Sequence, residues 1–127
     1  RGGMRRIIPI VGGRVSGPAF TGEILNSGAD WQTIFSSGLA ELDTRYAFRT
    51  DDDAVIEIIN FGYRRGPEDV MKRIAAGETV DPSDYYMRTH ARLETGHPDY
   101  QWVNETLFLG VGGRLKSSVR LVLYAID

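Results

Sequence analysis

Residues 27–35 read SGADWQTIF, with a carboxylate and an indole side by side just after a glycine turn. Neighbours in an extended strand point to opposite faces, so one of Asp30 and Trp31 faces inward. A carboxylic acid turned into an apolar pocket can keep its proton near neutral pH, because desolvation disfavours the anion. That is the property a general acid needs. We expect Asp30 to turn inward and Trp31 to pack outward. A plainer use of Asp30 is also open: a turn in which its carboxylate bonds backbone N–H groups near Gly28.

Three further segments carry polar and aromatic residues in alternation. Over 85–95, Tyr86, Arg88, His90, Arg92 and Glu94 share one face, against Tyr85, Met87, Thr89, Ala91 and Leu93. Over 100–110, Tyr100, Trp102, Asn104, Thr106 and Phe108 form one set. Over 39–50, Asp43, Arg45, Ala47 and Arg49 oppose Leu42, Thr44, Tyr46 and Phe48. In one reading the charged sets face water. In the other, some line a polar and aromatic lumen, since an amide (Asn104) between large aromatics suits a ligand wall better than an apolar core. Tyr63, Tyr85, Tyr86 and Tyr100 fall at strand ends, where rim packing with a solvated hydroxyl is the alternative use.

Other chemistries find little support. The chain has no cysteine, which removes thiol catalysis and disulfides, and its two histidines, His90 and His97, lack a zinc-site spacing. GVGGR at 110–114 lacks the Lys-Ser/Thr pair of a phosphate loop and precedes a strand, so it reads as a hairpin turn. No G-x-S-x-G occurs. The acidic run 51–53 lacks EF-hand spacing and reads as a solvated turn. Net charge is −2, so nothing argues for nucleic acid or an anionic membrane. No run approaches the ~18 apolar residues of a membrane helix, and RGGMRRIIPIVGG lacks a signal peptide's apolar core. Cytoplasmic location is the default expectation.

The elements that must position these residues are mostly strands. At 127 residues, 42 % hydrophobic and 25 % charged, the chain is one globular domain, 1–127. Strand-like segments at 5–11, 19–25, 30–36, 39–50, 54–61, 85–95, 100–110 and 118–126 are bounded by Gly, Asn, Asp and Pro turns. Eight strands with short connections predict an all-β antiparallel barrel or sandwich. One helix is expected over 67–76, with Pro67 in the first turn, Glu68 and Asp69 where the dipole favours acids, and Gly77 as the stop. It plugs one barrel end or packs on the flank.

The stretches RRIIPIVGGRVSGPAFTGEIL, SGADWQ, ELDTRYAFRTDDDAVIEI, GYRRGPEDVMKRIAAGE and DPSDYYMRTHARLETGHPDYQWVNETLFLGVG together resemble the domain of unknown function 3237 family. The resemblance runs from about residue 5 to the end. It implies a single calycin-like β-barrel with a central cavity. Members normally carry one more strand before RRIIPI, which leaves closure of the barrel at that edge open. Most members have no known activity. One branch resembles cofactor-free cyclases of aromatic polyketide pathways, closing an oxygen ring by adding a phenol across a prenyl alkene. The family positions map onto Asp30, Trp31, Asp43, Arg45, Tyr46, Tyr86, Arg88, Glu94, Trp102 and Asn104.

Read with that chemistry, the resemblance implies Asp30 or Glu94 as proton donor, with Asp30 favoured. Glu94 shares a face with Arg88 and Arg92, which suits a base or an anchor better. Arg45 or Arg88 would hold a developing phenolate. Trp31, Tyr46, Tyr86, Trp102 and Asn104 would bind a small aromatic or hydrophobic molecule. Neither metal nor cofactor is expected, and association into a homo-oligomer is compatible. Two other classes stay open: a non-catalytic carrier of such a ligand, and a structural module.

Overall fold

From Val55 to Arg65 every second residue is buried, the period of a strand with one face on a core. The same alternation runs from Tyr86 to Glu94. The computed structural model describes residues 2–115 and 117–127. Among them are the strands β1 (Met4–Ile10), β2 (Arg14–Val15), β3 (Gly22–Ile24), β4 (Gly28–Ile34), β5 (Ala40–Thr50), β6 (Val55–Arg65), β7 (Tyr86–Glu94), β8 (Leu107–Arg114) and β9 (Val119–Ile126). The helix α1 (Glu68–Ala75) joins β6 to β7.

Hydrogen bonding orders one sheet as β1-β4-β5-β6-β7-β8-β9, with every neighbouring pair antiparallel. The short β2–β3 ribbon joins it through β3 and β5. The fold is therefore barrel-like and all-β, as expected. The ladder does not run from β9 back to β1, so the curled wall stays open between these two strands.

Two apolar clusters sit on the inner face at opposite ends. At one end, Val70, Met71 and Ile74 of α1 pack on Ala40 and Leu42 of β5 and Met87 of β7, with Val80 and Tyr85. The helix is thus the end plug, and it stops where Gly77 takes φ +83°. At the other end, Phe48, Ile56, Ile58, Ala91, Leu93, Val103 and Phe108 pack together, flanked by Phe20, Ile24 and Tyr46.

One expected strand is not a strand along its whole length. Residues Pro98–Glu105 form 3₁₀ turns, and β8 starts only at Leu107. Pro98 lacks the N–H a ladder needs. The Asn104 side chain binds both the N–H and the C=O of Thr95, at 2.8 and 2.9 Å, folding the segment back on its own loop. The segment expected at 19–25 is likewise reduced to Gly22–Ile24.

β5 serves two partners on one edge. Ala40–Arg45 pair with β4, and Phe48–Thr50 pair with β3. At the fork, the Leu25 N–H donates to the Ala47 carbonyl, and a Cβ on Gly28 would lie 1.8 Å from the Arg45 carbonyl oxygen. Gly28→Ala should therefore destabilise the fold by on the order of 3 kcal/mol, as backbone overpacking does. Gly12→Ala, with nothing within 4 Å of its added Cβ, should stay within about 0.5 kcal/mol of the parent. Chemical denaturation of both variants checks this, and equal midpoints would mean that the fork tolerates a side chain.

Candidate functional site

Along the inner face of β6, Ile56 and Ile58 are followed by Asn60, Gly62 and Arg64, all buried. An apolar stripe thus turns polar halfway along the strand. Its neighbours do the same at the same level. Asp30 stands opposite Thr44, and Thr44 opposite Asn60, making one inward row across β4, β5 and β6. In the adjacent row, Gln32 faces Leu42, Leu42 faces Gly62, Gly62 faces Thr89 and Thr89 faces Gly110. A Cβ on Gly110 would fall 2.1 Å from the Thr89 hydroxyl, so only glycine leaves that oxygen room.

This polar belt lies between the two apolar plugs, with Arg64 at the level of Ala40 and Met87 in the first. Asp30 accepts hydrogen bonds on both oxygens, from Gln32 Nε2 at 2.7 Å and Thr44 Oγ1 at 3.2 Å. Four buried polar atoms of the belt have no hydrogen-bond partner among the described residues: Gln32 Oε1, Asn60 Oδ1, Thr89 Oγ1 and Arg64 Nε. Buried polar atoms are paired in the great majority of cases, so four together on one face stand out. Burial pushes the Arg64 guanidinium below its ordinary value. The like charges of Arg114 and Arg6 add to this, while Tyr85 and Asp30 oppose it. At the apolar edge of the belt, burial raises the Tyr46 phenol from 10.0 to about 12.

Of the residues expected in the site, Asp30 and Tyr46 lie on the inner face. Trp31 points outward, opposite Asp43 and Ile7. Arg88, Glu94, Tyr86 and Arg45 do not reach the lumen. They occupy the opposite parity from Met87, Leu93 and Tyr46, and a strand cannot show one side chain to both faces. Outside, the Arg65 and Arg88 guanidiniums lie 4.1 and 5.4 Å from the centre of the Tyr86 ring. Glu94 stands opposite Glu57, and Arg45 pairs with Asp43 at 3.9 Å in solvent, where such pairs contribute little.

Trp31 and Arg45 line an outer groove of about 320 Å³ with Glu57 and Ile59. The unpaired polar atoms are on the other face of the wall. Trp102 is half-exposed and stacks on Phe20 at 6.3 Å, capping the second apolar plug. Asn104 is a loop clasp and not a ligand wall.

The sequence profile of the family described as protein of unknown function (DUF3237) matches residues 1–126. The chain belongs to this family. A UPF0311 protein of Rhodopseudomonas palustris is 49 % identical over 112 residues, 88 % of this chain and 73 % of the relative. A β-barrel-like protein of Acinetobacter baumannii superposes with a TM-score of 0.86 at 44 % identity, over 99 % of this chain and 80 % of that one. A structure described as an enzyme from Penicillium herquei has a TM-score of 0.65 at 19 % identity, covering 98 % of this chain and 85 % of that one. At that identity the likeness is one of fold.

Gln32, Thr44, Asn60, Arg64 and Thr89 were not singled out from the sequence. The signal was there in AVIEIINFGYRR: Asn60 and Arg64 continue the parity of Ile56 and Ile58. A polar residue on an otherwise apolar face is the informative kind of exception.

The raised Tyr46 phenol has a consequence at alkaline pH. The unfolded chain releases that proton near 10.0 and the folded protein near about 12. Stability should therefore be intact below pH 10 and fall between pH 10 and about 12 as the unfolded chain ionises first. Unfolding midpoints across that range check this, and Tyr46→Phe should flatten the fall. An unchanged alkaline slope in Tyr46→Phe would remove Tyr46 from the effect.

Proposed function

We propose that the inner face of the curled sheet binds a small, largely apolar or aromatic molecule, and that Asp30 moves a proton on it without a cofactor, as in a cyclase or isomerase. The observation that carries this reading is the inward Asp30–Thr44–Asn60 row, set between two apolar plugs. A carboxylate on an inner face between apolar clusters, among polar atoms without partners, is an arrangement that supports an acid–base site.

The resemblance to ring-closing relatives supports a particular reaction: addition of a phenol O–H across a prenyl alkene. Asp30 delivers a proton to one alkene carbon, the phenol oxygen bonds to the other, and the phenol's proton returns to Asp30. Substrate and product are isomers, so nothing else is consumed. Thr44 and Gln32, both on the carboxylate oxygens, fix its direction. The apolar plugs would exclude water from the cationic centre and hold the flat ring in place.

The test is incubation of the protein with an ortho-prenylated phenol in excess EDTA, with the cyclic ether followed by chromatography. Conversion without added cofactor is expected. Asp30→Asn keeps the size and removes the proton, and it should cost ~10²–10⁴-fold in rate with ligand affinity little changed. Glu94→Gln, on the outer face, should turn over normally. Near-normal turnover by Asp30→Asn would remove Asp30 from the mechanism. A ligand that binds without conversion would make the protein a carrier.

A further inference from the structure

Among the described residues, three guanidinium groups face the interior. Arg64 is on β6 with Asn60 and Gly62. Arg6 is on β1 opposite Gln32, and Arg114 is on β8 two residues beyond the inward Gly112. In the order of the sheet, Arg6 and Arg64 stand three strands apart. The curl brings them, with Arg114, close enough for the charges of Arg6 and Arg114 to act on Arg64. Among the described inner-face residues of the sheet the only carboxylate is Asp30, on β4. Its oxygens are taken by Gln32 and Thr44, and none of the three arginines ion-pairs with it. Two positive charges are left in excess.

From this juxtaposition we infer that the interior site is selective for an organic anion: an apolar or aromatic body bearing a carboxylate or a comparably compact oxyanion, received by Arg64 between Arg6 and Arg114. The inference rests on the interior-site reading proposed above and adds the charge of its ligand.

The chemistry favours an anion over other occupants. Arg64 is 8 % exposed, its Nε has no partner, and its surroundings include Met87 and Ala40. A buried guanidinium without a counter-charge is costly, and like-charged neighbours add to the cost. A planar fork of donors matches a carboxylate in two parallel hydrogen bonds, which would offset it. A site for a neutral ligand has no use for three such groups. The apolar floor from Phe108 and Leu123 suits the body of the molecule.

The experiment compares 2-naphthoate with its neutral isostere 2-naphthamide by titration calorimetry at pH 7.5, and follows thermal unfolding of the protein and of Arg64→Met. Naphthoate should bind about tenfold tighter or better, the factor that a charge-assisted hydrogen bond supplies. Arg64→Met should lose that preference, and Arg64→Lys should recover part of it. Its melting temperature should not drop, because Met removes a buried unpaired charge. A structural arginine would behave otherwise, so a large loss of stability in Arg64→Met overturns the inference. So does a naphthoate preference that persists in that variant, which would place the anion elsewhere. Equal binding of both probes removes only the charge selectivity and leaves the interior site standing. Binding of neither probe removes the interior site and the inference together.

Discussion

The pairing of β5 with β6 is the constraint on which the rest depends. Ten residue pairs from Ala40–Arg64 to Arg49–Val55 lock two eleven-residue strands. A slip of one residue would turn β6 over relative to β5: Ile56 and Ile58 would go to solvent, and Val55 and Glu57 would be buried. Because the apolar residues forbid that slip, they also fix the inward position of Thr44, Asn60 and Arg64, which gain nothing from burial themselves. The polar belt is carried inward by the hydrophobic residues on either side of it.

This division of labour explains how such a belt survives. A cluster of buried polar atoms without partners is destabilising on its own. Here it is bracketed by two clusters that supply cohesion, one centred on α1 and Met87 and the other on Ile56, Ile58, Leu93 and Val103. Stability is concentrated at the ends and the unpaired polar groups in the middle. The outer surface fits the same view. Its charged residues make exposed pairs such as Lys72–Glu68 at 3.0 Å and Arg45–Asp43 at 3.9 Å, which add little to stability and leave the wall free to vary.

Asp30 ties the fold to the proposed site. The turn that delivers it depends on Gly28, whose missing side chain lets β4 cross close to the β5 backbone. The next residues then alternate, Asp30 in and Trp31 out. The carboxylate meets Thr44 across the strand pair and Gln32 two residues along its own strand. The same alternation that fills the core therefore orients this carboxylate, with no dedicated loop.

The all-β class, the helix with its proline start and glycine stop, and the inward turn of Asp30 were legible in the sequence, because each rests on local rules of alternation, capping and turn chemistry. The count was not, since eight expected strands became nine among the described residues. Alternation also separated the two faces of 85–95 correctly. It could not say which face was inside, since a set such as Tyr86, Arg88 and His90 fits a wet lumen as well as a wet exterior. Only the tertiary structure decided that, through the burial of Met87, Ala91 and Leu93 against β6 and Phe108. The 3₁₀ turns at Pro98–Glu105 were likewise hidden, because Asn104 stops the strand through a contact with Thr95 nine residues back. The meeting of Arg6, Arg64 and Arg114 belongs to the curl alone: residues far apart in sequence share a lumen only when the sheet bends round to bring them together.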